Sequence, residues 1–199
     1  MKNSVEVINL SKSYGKKIAV RNINFNIKEN EILGLLGPNG CGKTTTIGML
    51  LGLLKPSNGQ ISINGMKIEK DRIKILQKIN FISPYIELPK KLTVKQNLLV
   101  YGKLYDVKNL KDRIEYLATK LRLSELLNRI TGELSSGQKN RVSLAKALIN
   151  DPGVLFLDEP TASLDPEVGD FVRTFLEDYK KEKKLSILLA SHNMNEVTR

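Results

Sequence analysis

The 199-residue chain has one cysteine, Cys41, and one histidine, His192. A single cysteine excludes an internal disulfide. No apolar run approaches the roughly 20 residues that a membrane-spanning helix needs. The opening Met1-Lys2-Asn3-Ser4-Val5-Glu6 also lacks the apolar centre of a signal peptide. These absences predict a protein made and kept in the cytoplasm. Internal repeats and low-complexity linkers are missing as well, and the length suits one well-buried domain, with room for an inserted lobe. Acidic residues are comparatively few, 21 against 32 lysines and arginines, for a net charge of +11. A surplus of that sign suits an anionic neighbour such as nucleotide, nucleic acid or the inner leaflet of a membrane. The basic residues are scattered, however, with only short clusters such as Lys180-Lys181 and Lys183-Lys184. A Lys-rich solvated surface is the better reading.

The chain does have a glycine-rich loop, Gly37-Pro38-Asn39-Gly40-Cys41-Gly42-Lys43-Thr44-Thr45, between the apolar run Ile32 to Leu36 and a helix-like stretch, Thr44 to Leu54. Strand, loop and helix with a lysine at the hinge match the G-x-x-x-x-G-K-[ST] spacing of a phosphate loop. Glycines at 37, 40 and 42 let the backbone take positive φ and turn its N–H groups around an anion. The following helix aims its N-terminus at the same point. Lys43 supplies a full charge for β- and γ-phosphates, and the Thr44 hydroxyl is a hard oxygen suited to Mg²⁺. ATP or GTP binding with Mg²⁺ is therefore expected. Cys41 fills a small-residue position in the loop, where alkylation is expected to block nucleotide binding.

Around this loop, Val5 to Leu10 and Ile23 to Ile27 alternate apolar and polar residues and read as half-buried strands. Ser11 to Lys17 reads as a polar turn carrying Tyr14, an aromatic that can stack on a purine. Lys55 to Gly59 is a breaker cluster, followed by a strand Gln60 to Ile63, an Asn64-Gly65 turn and a buried strand Ile79 to Ile82. From Pro84 to about Leu134 the periodicity becomes helical. Thr93-Val94-Lys95-Gln96 has the form of a capping box opening a helix to Leu104, and Asn109 to Leu121 and Ser124 to Arg129 continue the pattern. Leu134-Ser135-Ser136-Gly137-Gln138 precedes another strongly helical segment.

Four apolar residues, Val154 to Leu157, run straight into Asp158-Glu159-Pro160. A buried strand ending in paired acids presents them at its C-terminal edge, where α/β sheets bind ligands. Asp158 suits a contact to Mg²⁺ through water, and Glu159 suits orienting or deprotonating an attacking water. Asp165-Pro166 places a capping Asp before a proline that opens a helix to about Lys181. A last apolar strand, Leu185 to Ala190, delivers Ser191-His192 to the same edge, making His192 a candidate γ-phosphate contact.

This pattern resembles the ATP-binding cassette (ABC) family, specifically the nucleotide-binding subunit of an ABC transporter, over nearly the whole chain. On that resemblance Tyr14 is the adenine-stacking aromatic, Gly37 to Thr45 the Walker A loop and Leu134 to Gln138 the signature motif, with Ser136 where glycine is commoner. Leu155 to Glu159 is Walker B with its catalytic Glu159, Ser163-Leu164-Asp165 the D-loop and His192 the switch histidine. The implied fold is α/β: a P-loop NTPase (RecA-like) core, an antiparallel β lobe at the N-terminus and a helical subdomain inserted at about 85–135, all within one nucleotide-binding domain, 1–199. Two subunits, as a homodimer or paired with another ABC subunit, would close on two Mg-ATP. Ser135, Ser136, Gly137 and Gln138 of each would then face the nucleotide held by the other. The dimer would drive an integral membrane permease from the cytoplasmic face of the membrane, with no nucleic acid as partner.

Two positions depart from the family. Pro84 stands where a Gln normally reaches Mg²⁺, leaving Glu87, Ser83 or a water to make that contact, and the Ser83-Pro84-Tyr85 loop resembles subfamilies serving export-type permeases. Only seven residues, Asn193 to Arg199, follow His192, where the family continues with further strands and a helix, so the C-terminal end reads as truncated. Alternative readings are a soluble ABC-type ATPase acting on ribosome or nucleic acid, and a truncated, binding-only ABC protein. Ribosomal ABC factors usually carry two cassettes and DNA-repair relatives a long coiled coil, and this chain has neither.

Overall fold

The computed structural model describes residues 2–84, 86–161 and 164–192. Ser163 of the expected D-loop, Tyr85 and Asn193 to Arg199 lie outside the described residues. In chain order the elements are β1 (Asn3–Tyr14), β2 (Lys17–Lys28), β3 (Ile32–Leu36), α1 (Lys43–Leu50), β4 (Asn58–Ile63), β5 (Met66–Lys67), α2 (Ile68–Leu76) and β6 (Ile79–Ile82). There follow α3 (Val94–Leu104), α4 (Leu110–Lys120), α5 (Ser136–Leu148), β7 (Val154–Asp158), α6 (Pro166–Lys183) and β8 (Ser186–Ser191).

The strands form two sheets. An antiparallel sheet runs β2-β1-β4-β5 and a parallel one β3-β8-β7-β6. The first is made by hairpins whose turns are local. Asn64 and Gly65 both take left-handed conformations (φ 51° and 76°), as a tight two-residue turn between paired Ile63 and Met66 requires. The second needs helical crossovers, which leave helices on both of its faces. Strand β7 is buried throughout, and its alternation serves both layers. Val154 and Phe156 join a core with Val5, Leu10, Ile61, Met49 and Leu50 from the antiparallel sheet and α1. Leu155 and Leu157 join a second core with Leu98, Leu117, Val142, Leu148 and Leu176 from α3 to α6. Buried Ser186 ties the sheets together: its hydroxyl donates to Lys28 O (3.1 Å) and accepts from Asn30 N (3.1 Å), and it lies 2.8 Å from Ser4 Oγ.

The expected α/β core with an antiparallel N-terminal lobe is present, and several boundaries differ. Strand β1 continues through Tyr14, so the stretch expected as a polar turn is paired backbone and the turn shrinks to Gly15-Lys16. Helix α1 stops at Leu50 rather than Leu54 because Gly52 takes φ 65° and turns the chain back, with Leu53 N and Leu54 N both donating to Gly48 O. Helix α2, polar and kinked at Asp71, gives no clean period in the sequence. Ser124 to Arg129 contains only a single 3-10 turn, Ser124–Leu126. The Thr93/Gln96 capping box is present, as is a second formed by Ser135 and Gln138. Asp165 stands at the N-cap of α6, but its side chain makes no capping hydrogen bond, and Pro166 opens the helix.

Candidate functional site

Three parallel strands end together, and each ends in chemistry. After β3 the chain enters the glycine loop, with Gly37 N donating to Ser191 O at the end of β8 (3.3 Å). Gly40 and Gly42 take φ 82° and 103°, where a side chain is strained, and a Cβ on Gly42 would strike the Ala19 carbonyl. Gly37 does not take positive φ as expected; a Cβ there would meet Cys41 Sγ, a side-chain tip that must turn aside to admit it. The loop delivers α1 with Gly42 at its N-cap, no side-chain cap and no acid in its first turn. The N-terminal N–H groups of this helix therefore lack side-chain partners and suit an anion. Lys43 is 7% exposed; its Nζ donates to Gly37 O (2.6 Å) and Pro38 O (3.2 Å).

Strand β7 brings Asp158 beneath the loop, where Thr44 Oγ1 donates to Asp158 Oδ2 (2.9 Å). Burial pushes the Asp158 carboxyl above the ordinary carboxylate range; the Thr44 hydroxyl opposes this, Glu159 adds to it and Lys43 works against it. The pair offers two hard oxygens side by side, a donor set that fits Mg²⁺, which takes one or two protein oxygens and completes its octahedron with water and phosphate. Among the described residues no group of three or more His, Cys, Asp or Glu side chains is placed to hold a metal ion.

Glu159 follows at φ 50°, a left-handed conformation that costs on the order of 1–3 kcal/mol for a non-glycine residue. Its N–H donates to Ala190 O (2.9 Å). Its Oε2 lies 2.8 Å from His192 Nδ1 and accepts from Ser191 Oγ (3.4 Å). Oε1 is buried without a hydrogen-bond partner among the described residues, 3.8 Å from Lys43 Nζ.

Tyr14, Lys17, Asn39, Gly40, Gly42, Lys43, Thr44, Thr45, Asp158 and Glu159 line one cleft of about 570 Å³. Half-exposed Tyr14 reaches it because β1 extends to that residue, with Lys12 Nζ 5.1 Å from its ring centre. Lys17 and Ile18 also line the cleft, unforeseen from sequence; their signal was the tight Tyr14-to-Lys17 turn.

The signature residues lie elsewhere. Ser135 caps α5, and Gln138 closes the capping box by accepting from Ser135 N (3.0 Å), which gives Gln138 a structural role within its own chain. Ser136 borders a separate cavity of about 220 Å³ that shares Glu159 and includes Ser83, Pro84 and Glu87. Glu87 is exposed and paired with Lys90 (2.7 Å), and it does not line the cleft of Thr44 and Asp158.

A family model described as ABC transporter matches residues 20–162. The chain is 37% identical to the bacitracin transport ATP-binding protein BcrA of Bacillus licheniformis, over 99% of this chain and 64% of that protein. It is 39% identical to the Nod factor export ATP-binding protein I of Rhizobium leguminosarum bv. viciae, over 98% of this chain and 63% of that protein. The chain thus spans just under two thirds of the length of these relatives. Among solved structures it superposes on cbiO1 of Clostridium perfringens, part of the ABC transporter complex cbiONQ, with TM-score 0.87 and 31% identity over 99% of this chain and 81% of that one. It matches the dimeric bacterial ABC transporter cassette MJ0796 with TM-score 0.86 and 28% identity over 96% of this chain and 89% of that one. With the phosphate loop, the paired acids Asp158 and Glu159 and His192 gathered at one sheet edge, and with a family model matching 20–162 and relatives aligned over 98–99% of the chain, the chain belongs to the ABC transporter family.

Proposed function

We propose that the chain is the ATP-binding and hydrolysing subunit of an export-type ABC transporter, working as a dimer at the cytoplasmic face of a membrane permease. Among the described residues no helix is long and apolar enough to cross a membrane. The observation that carries the catalytic assignment is the buried Oε1 of Glu159, which has no hydrogen-bond donor among the described residues and is ion-paired with Lys43 Nζ at 3.8 Å. A buried acceptor left without a donor is costly and calls for a partner, and a water on its way to the γ-phosphate is the partner that this site admits.

In this reading Tyr14 stacks on the adenine, the loop N–H groups of residues 37–45 bind the β- and γ-phosphates, and Lys43 turns from the Gly37 and Pro38 carbonyls to those oxygens. Thr44 and Asp158 would hold Mg²⁺, Asp158 by way of water, and the ion when bound would supply neutralisation of the charge that develops on the β- and γ-phosphates. Glu159 accepts a proton from the attacking water as the bond between the γ-phosphorus and the β–γ bridging oxygen breaks. His192 holds the Glu159 carboxylate by Oε2, leaving Oε1 free for that proton. Ser135, Ser136 and Gly137 face the nucleotide of the second subunit, with Asp165 at the dimer seam. The export assignment draws on the relatives named for bacitracin transport and Nod factor export.

Light scattering on Glu159→Gln protein with and without Mg-ATP tests the reading. A nucleotide-dependent dimer is expected, lost again when Ser135→Arg is added, with ATP hydrolysis at least about 100-fold below the parent. Hydrolysis by Glu159→Gln at the parental rate would refute the assignment.

A further inference from the structure

We propose that Asn140, on the signature helix α5, is a positioning residue for Glu159. The inference rests on Glu159 being the group that takes the proton from water. Glu159 adopts φ 50° and is followed by Pro160. A residue before proline is pushed toward extended backbone, and a non-glycine residue seldom enters the left-handed region. Such a conformation lasts only where its surroundings hold it.

Two hydrogen bonds bracket it. On the N-terminal side, Glu159 N–H donates to Ala190 O on β8 (2.9 Å). On the C-terminal side, Pro160 has no N–H, so its carbonyl is the one backbone polar group it offers. That carbonyl accepts from Asn140 Nδ2 (2.8 Å). Asn140 lies five residues beyond Ser135, whose capping box fixes the start of α5. One amide therefore joins the Ser135 end of α5 to the turn that aims the Glu159 carboxylate. On one side Ser136, Asn140, Glu159 and the buried Pro160 border the open cavity of about 220 Å³. Without the amide the turn has space into which to relax, and a displacement of α5 no longer reaches Glu159.

The test is steady-state ATP hydrolysis by the full chain and by Asn140→Leu, Asn140→Ala and Asn140→Gln, with unfolding midpoints measured alongside. Asn140→Leu, similar in size but without a donor, is expected to lower kcat about tenfold with KM for ATP within about twofold. Asn140→Gln keeps the donor and is expected to recover at least about a third of the parental rate. In a Glu159→Gln background, Asn140→Leu is expected to cost nothing further, because the two act as a unit. If Asn140→Leu does not fold, Asn140→Ala serves the same comparisons.

Parental kcat in Asn140→Leu, while Glu159→Gln is inactive, overturns the role of Asn140 alone. Equal losses in the Leu and Gln variants, with a raised KM and a lowered unfolding midpoint, also overturn it, in favour of a purely structural contact. Absence of hydrolysis by the parent, or full activity of Glu159→Gln, overturns the reading of Glu159 and the role of Asn140 with it.

Discussion

Asp158 is 3% exposed, accepts from Thr44, and is held above the ordinary carboxylate range chiefly by burial. An acid whose folded value is raised binds more protons folded than unfolded across the window between the two values. Stability therefore falls as pH rises through that window, and at neutral pH the whole penalty is present. Asp158→Asn removes the charge and keeps an acceptor for Thr44. We expect its thermal midpoint, measured in EDTA without nucleotide, to lie a few degrees above the parent, while Mg-dependent hydrolysis drops at least about 100-fold. A midpoint at or below the parental one would show that the carboxylate is not strained by burial. The residue type was legible in the sequence, as an acid ending an apolar strand. Its meeting with Thr44 was not, because the two are separated by 114 positions and only the sheet brings them together.

On α5, Lys146 carries a comparable burden. Its ammonium reaches Phe81 O at 3.5 Å and sits 5.2 Å from the ring centres of both Phe81 and Tyr101. Among the described residues no carboxylate pairs with it, and burial pushes it down to about 8. From about 8 up to the ordinary lysine value near 10.5 the unfolded chain binds more protons, so stability rises with pH across that window. At neutral pH the cost is on the order of 3 kcal/mol, partly returned by the two rings. Lys146→Met is expected to raise the unfolding midpoint at pH 7, with the advantage over the parent shrinking toward pH 10. A constant difference from pH 7 to pH 10 would rule out the titration. The start of this helix was readable locally, since a capping box is a four-residue pattern, as at Ser135 and Gln138. Helix α2 was not, because its charged surface and its kink at Asp71 blur the 3.6-residue period.

Across the whole molecule, Arg113 of α4 joins elements far apart in sequence. Its guanidinium donates to Leu148 O (2.5 Å) and Ile149 O (3.3 Å) at the end of α5, to Asp151 Oδ1 (3.1 Å) and to Tyr179 OH of α6 (2.6 Å). The Tyr179 hydroxyl in turn donates to Asp151 Oδ1 (2.9 Å). Arg113→Leu strips donors from partly buried carbonyls, at a cost of about 3 kcal/mol. The thermal midpoint is expected to fall by roughly 10 °C, and Arg113→Lys to recover little, since one ammonium cannot span that fork. A fall of under about 2 °C would mean that water replaces the arginine. Nothing in the sequence marked Arg113, one of 32 basic residues, because its partners are backbone carbonyls and a distant tyrosine. By itself the sequence determined which residues are candidates for the chemistry: each strand's apolar run stops at a residue of another kind, Gly37, Asp158 or Ser191, and such punctuation is local. Only the tertiary structure decided that His192 lies 2.8 Å from Glu159 and Thr44 2.9 Å from Asp158. Those distances follow from the order β3-β8-β7-β6, which is set by burying both faces of the sheet between separate cores, a constraint that no short stretch of chain contains.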